Sequence, residues 1–205
     1  MRRHARTLLA LLPLLLCAAP AAARQAEEER LSSLLDGRVS FTLPAAWVVE
    51  RHVNTPFNGR AQLTIPYPAF EKTPHRVNVS LVANSVPAGI TVRHLSDGVY
   101  KNNYEGLKVL SDEFDGDDWR TMVWTARLNG VPYAMLHRFG LSGRTSVELL
   151  AGFPLLEGGD PKWVERAVAD FNALSASLKI DGRNKAAAVV KLDKIPPPQK
   201  VTDKP

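Results

Sequence analysis

The chain has 205 residues, a formal charge of +5 and one cysteine, and 45% of it is hydrophobic. Three Arg and no acid fall in residues 1–23, and from Arg183 onward six Lys or Arg face two Asp, so Arg24 to Gly182 is slightly acidic at −2. A body of that charge excludes a nucleic-acid binder that works by neutralising phosphates. With its only cysteine at Cys17, the remainder has no disulfide, zinc-thiolate site or thiol nucleophile.

The N-terminus reads as a secretory signal peptide over residues 1–23. Arg2, Arg3 and Arg6 precede an apolar run from Leu8 to Ala19, and Ala21-Ala22-Ala23 offers a small-residue cleavage site before Arg24. The run is too short to cross a bilayer, which takes about 20 apolar residues. Leu16 precedes Cys17 where a lipoprotein would carry a small residue, so a lipid anchor there is not favoured. The expected product is periplasmic or secreted, with no membrane span. Residues 24–37 read as a polar N-terminal lead, 38–182 as one domain, and 183–205 as a basic, disordered tail broken by Pro196-Pro197-Pro198.

Val39 to Leu43 alternates with period two and is closed by Pro44, which predicts a strand. Further strands are expected at Trp47 to Val49, Ala61 to Ile65 and Val77 to Ala83. Between the last two lies a proline-broken loop. The wider segment Asn54 to His75 carries the aromatics Phe57, Tyr67 and Phe70, which suit partner binding because they bury much area at low entropy cost. Equally, they could fold back over the sheet edge. Thr91 predicts the cap of a helix running to about Glu105, with Gly106 at its end.

A four-stranded meander follows. Asn129-Gly130 predicts a two-residue hairpin that pairs Leu128 with Val131, Trp124 with Met135 and Met122 with His137 on one face. A turn near Asp115-Gly116 adds Leu107 and Val109 to that face, and a three-residue loop Ser142–Arg144 adds Val147, Leu149, Ala151 and Phe153. On the other face the same pairing aligns Leu110, Val123, Leu136 and Leu150, beside a polar row of Thr121, Arg138 and Glu148. That row reads as a cross-strand ion pair or as a patch for a ligand or partner. His137 reads as a hydrogen-bonded core residue, since this pairing places no other His or carboxylate beside it. Asp112, Glu113, Asp115, Asp117 and Asp118 read as a solvated hairpin tip without the spacing of an EF-hand, with calcium as the alternative. Asp160 and Pro161 predict the start of a final helix whose stripe from Trp163 to Leu178 should cover the meander.

The order of elements, opened by Phe41-Thr42-Leu43-Pro44-Ala45-Ala46-Trp47, resembles the PsbP-like fold family, which includes bacterial DcrB-type secreted proteins. The resemblance implies an α+β fold: an antiparallel sheet with helices on its faces, forming an α-β-α sandwich. Members of that family work by binding protein partners, which, with the export signal and the missing catalytic motifs, leads to the expectation of a non-enzymatic module that works through an envelope protein partner, with no cofactor. No Gly-x-Ser-x-Gly, His-Glu-x-x-His or phosphate loop occurs, and His52, His75 and His94 lie on separate segments. The alternatives are a carrier of a small apolar ligand held between a helix and a sheet face, and a hydrolase with an unrecognised site.

Overall fold

Alternation along the chain does produce antiparallel sheet, and the fold adds strands that alternation did not reveal. The computed structural model describes residues 30–43, 47–64, 77–157, 162–183 and 189–199. The predicted leader with Cys17, Pro44 to Ala46 of the opening motif, Tyr67, Phe70 and the predicted cap Asp160-Pro161 lie outside these residues. In chain order the elements are β1 (Arg30–Leu34), β2 (Val39–Leu43), β3 (Val48–Asn54), β4 (Asn58–Thr64), β5 (Asn78–Ser85), α1 (Val92–Ser96) and α2 (Gly98–Lys101). The second half comprises β6 (Glu105–Asp115), β7 (Trp119–Leu128), β8 (Val131–Ser142), β9 (Thr145–Pro154), α3 (Trp163–Ser177) and β10 (Lys179–Ile180). A seven-stranded sheet runs β3-β4-β5-β9-β8-β7-β6, and a three-stranded sheet runs β1-β2-β10.

Turn chemistry fixes the central hairpin. Asn129 and Gly130 both take positive φ, 52° and 79°, as a type I′ turn requires. Leu128 therefore meets Val131, Trp124 meets Met135 and Met122 meets His137, as predicted. Val109 also meets Trp124, with a bulge beyond it.

The β8–β9 turn differs from the prediction. Gly143 takes φ 56°, Ser142 pairs with Thr145, and the loop holds two residues instead of three. A one-residue slip turns every side chain of a strand to the other face. Leu136 consequently meets Ala151 and Arg138 meets Leu149, while His137 meets Leu150 and Phe139 meets Glu148. The predicted single apolar face is thus two faces. Val147, Leu149, Ala151 and Phe153 join Val123 and Leu136 in the main core, under the Trp163, Ala167, Phe171 and Leu174 stripe of α3. Phe153 meets Trp163 edge to face at 5.5 Å. Met122, Trp124, Met135 and Phe139 form a second cluster with Val92 and Val99 of the short helices, and Leu150 packs against it.

Three other expectations are corrected. The predicted helix from Thr91 is two short pieces, and Gly106, at φ 65°, already belongs to β6. Thr91 does cap α1, its Oγ1 accepting from the His94 N–H while His94 Nδ1 accepts from the Thr91 N–H. The lead contains β1, which pairs with β2, and both Leu34 of the strand and Leu35 in the turn after it are buried. Residues 189–199 of the tail pack onto the domain. Val190 and Ile195 enter the main core, the Asn172 side chain pairs with both the N–H and C=O of Val190 at 3.0 Å, and Gln199 bridges to Leu156. The prolines are accommodated because this strap needs few ladder donors. Among the described residues no helix is long and apolar enough to cross a membrane.

Candidate functional site

The second cluster leaves a cavity of about 240 Å³ between α1–α2 and the sheet. Leu95, Gly98 and Val99 line it from the helices, and Trp124, His137, Phe139 and Leu150 from the strands. Tyr104, on the link from α2 to β6, lies over Trp124 with ring centroids 5.1 Å apart.

The corrected register supplies what the sequence appeared to lack, a carboxylate on the His137 face. Glu148 projects beside His137, and His137 Nε2 lies 2.9 Å from Glu148 Oε1. Burial holds the imidazole below its usual pKa against the opposing pull of Glu148, and the hydrogen bond from His137 holds Glu148 below the usual carboxylate range. The neutral ring then donates Nε2–H to Glu148 and leaves Nδ1 as an acceptor. Among the described residues, neither His137 Nδ1 nor Trp124 Nε1 has a hydrogen-bond partner, and both residues are buried. The wall thus combines aromatic and aliphatic side chains with the polar groups of Asn102 and Glu148, and leaves one buried donor and one buried acceptor unspent.

Arg120 holds the helical cover in place. It is buried on β7 and donates to Asp112 through Nε and Nη2, both at 2.8 Å. Its Nη1 reaches Ser96 Oγ and, at 3.3 Å, Asp97, so one side chain ties both helices to the sheet. The guanidinium also stacks over Phe114 at 4.6 Å. Arg120 holds the Asp112 carboxyl below its usual range, and Asp112 reciprocally raises Arg120. Asp112 thus belongs to this tie. Among the described residues no group of three His, Cys, Asp or Glu is placed to hold a metal.

The remaining predicted residues are dispersed. Phe57 is 75% exposed at the β3–β4 turn. Thr121 and Arg138 do face each other, with Arg138 Nη1 donating to Thr121 Oγ1 at 3.1 Å, but both are buried on the main-core side, away from Glu148. The expected half-exposed ion pair therefore does not form.

No family model matches the chain, and no curated protein matches it. Among solved structures the chain is similar to a mutant of the protein Mog1, with a TM-score of 0.49, 11% identity, and coverage of 74% of this chain and 95% of that one. It is also similar to the Saccharomyces cerevisiae Ran-binding protein Mog1p, with a TM-score of 0.48, 10% identity, and coverage of 76% and 96%. A third likeness is to a Bacteroides thetaiotaomicron structure, with a TM-score of 0.43, 16% identity, and coverage of 78% and 53%.

Proposed function

We propose that this chain is a non-enzymatic binding module of the cell envelope, and that it holds a small ligand in the cavity between α1–α2 and the large sheet. One observation carries the reading: two buried, unpartnered polar atoms, Trp124 Nε1 and His137 Nδ1, belong to residues lining one cavity. Leaving such a group unsatisfied costs about 1–3 kcal/mol. Ligand sites are largely apolar with a few placed polar groups. A volume of about 240 Å³ falls below the roughly 300–1,000 Å³ typical of drug-sized ligands. The ligand is accordingly small and not anionic, since the Glu148 carboxylate also lines the cavity, with a planar body that offers an acceptor to Trp124 and a donor to His137, as an amide or a ring N–H/C=O pair does. Tyr104 is the aromatic wall that reaches solvent, 36% exposed on the short link from α2 to β6.

Support for the address comes from the N-terminal arginines, apolar run and Ala21-Ala22-Ala23 site. An exported product starting at Arg24 by intact mass tests it. For the site, non-denaturing mass spectrometry of protein recovered from producing cells should show a bound small molecule. Trp124→Phe together with His137→Phe should release it. A protein that retains nothing, and whose Trp124 indole N–H signal does not respond to a library of small amides and heterocycles, overturns the reading.

A second reading, an assembly module acting through an envelope protein, is favoured by Phe57. Its ring is 75% exposed at the end of a turn in which Thr55 Oγ1 both donates to the Asn58 carbonyl and accepts from the Asn58 N–H. Phe57→Ala should abolish a crosslinked partner while leaving the melting temperature unchanged. A partner retained by the variant removes this reading.

A further inference from the structure

We propose a second site on the opposite face of β8: the cleft under residues 189–194 binds a small oxyanion, with Arg138 behind its wall and Lys191 and Lys194 on its rim. The cleft has a volume of about 170 Å³ and lies between the C-terminal strap and the β6–β7 edge of the sheet. Its floor includes Thr121 and Val123, and Val190 and Lys191 contribute from the strap.

Arg138 is the reason to expect an anion. It is 0% exposed, and its guanidinium stacks over the Trp119 ring at 4.5 Å. Nη1 donates to Thr121 Oγ1, yet Nε and Nη2 have no partner among the described residues. Among the described residues Asp115 is the one carboxylate acting on it, without forming an ion pair, and burial pushes the guanidinium down to about 10, still cationic at neutral pH. An uncompensated buried charge is costly, and proteins ordinarily pair it. Thr121 connects this charge to the cleft. Its oxygen accepts from Arg138, which leaves its own O–H free to donate, and Thr121 lines the cleft. A bound oxyanion would accept a hydrogen bond from that hydroxyl, lie over the guanidinium field and meet the two ammonium groups at the rim.

Glu113 is the one carboxylate that lines the cleft among the described residues, and its Oε1 accepts from Ser111 Oγ at 3.0 Å. It opposes an anion, which gives the test a second direction. The strap also explains the position of the site. Val190 and Ile195 anchor it in the main core on either side of Lys191 and Lys194, both of which are exposed. The lysines are thereby held over the cleft instead of trailing in solvent.

The test is isothermal titration of the full mature protein, dialysed into chloride buffer, with inorganic phosphate and separately with acetate at matched ionic strength. Binding of either is expected. Phosphate alone would identify a tetrahedral oxyanion, and acetate alone a carboxylate. The double variant Lys191→Ala/Lys194→Ala, which changes only exposed groups, should weaken the affinity at least tenfold. Arg138→Met should abolish binding, and Glu113→Gln should strengthen it severalfold. No heat beyond the chloride control, or an affinity unchanged by the lysine double variant, overturns the proposal.

Discussion

Gly140→Ala is the sharpest test of the sheet, because local preference and tertiary contact predict opposite signs. Gly140 sits directly across from Trp119 in the β7–β8 ladder. A Cβ at Gly140 would lie 2.6 Å from Trp119 Cη2 and 2.7 Å from Cε3. Trp119 is buried, and its ring also carries the Arg138 guanidinium, so it has little room to retreat. Replacing glycine by alanine inside a strand should on backbone grounds stabilise by about 0.5–1 kcal/mol. Overpacking of a core site costs about 1–3 kcal/mol. The contact wins, with a net loss of about 1–2 kcal/mol, which in a chain of this size lowers the melting temperature by roughly 2–8 °C. Gly98→Ala is the control, since nothing lies within 4 Å of its Cβ position and it should not destabilise. Thermal denaturation followed by circular dichroism reads both. A Gly140→Ala variant that melts at or above the parent temperature would show that Trp119 does not lie across β8, and the faces assigned to Arg138 and His137 would fall with it.

Arg120→Met should destabilise by about 2–4 kcal/mol, because it removes the buried guanidinium that pairs with Asp112 and donates to Ser96. Hydrogen exchange should then show α1 and α2 opening ahead of the sheet, and uniform loss of protection would refute the tie. His137 makes stability fall on acidification. Its pKa is depressed in the folded state, so the stabilisation is complete above about pH 6.5 and is lost as pH drops through the folded value. Glu148, also depressed, adds a loss of the same sign at lower pH. His137→Phe should flatten the melting profile between pH 7 and pH 5, and a parent protein that gains stability over that interval contradicts the assignment. Ile195→Ala should cost about 2–3 kcal/mol and expose the strap to limited proteolysis, whereas an unchanged melting temperature would mean the strap does not anchor in the core.

What could be read in the sequence was whatever a turn fixes uniquely. Asn129-Gly130 admits one tight turn, so the β7–β8 register followed from two residues. Ser142-Gly143-Arg144 admits a two- or a three-residue loop, and the hydrophobic pattern could not decide between them because both faces of the sheet are apolar. That ambiguity moved Glu148 to the wrong face and hid its bond to His137. The face is set by a long-range pairing that the local pattern does not contain. Leu149 pairs with Leu81 and Val147 with Ala83, and the alternation of β5 makes those residues core. β1 was invisible for a different reason: Arg30–Leu34 has no alternation of its own and is held by pairing with β2. The strap was read as disordered from its lysines and prolines, although Val190 and Ile195 stand out as the apolar residues to be anchored.

His137 and Arg138 are consecutive residues of β8, an inner strand, and they put two incompletely satisfied polar groups into opposite faces of the sheet. A sheet that needed only stability would fill both positions with apolar side chains, since replacing buried charge by well-packed hydrophobic residues is often neutral or stabilising. The covers over these positions are also thin: two helices of five and four residues on one side and a strap on the other, while the 15-residue α3 lies over continuous apolar core. Polar groups buried beneath thin covers are the arrangement expected where binding, and not stability, set the residue. Arg138→Met separates these readings. Removing a structural tie to Thr121 and Trp119 would cost more than about 2 kcal/mol, as the loss of a buried charged partner does. Removing an unpaired cation retained for an anion should leave the melting temperature in chloride equal to or above the parent's while eliminating the response to phosphate. Equilibrium urea unfolding with and without phosphate measures both quantities, and a variant that loses stability equally in the two buffers assigns Arg138 to the fold alone.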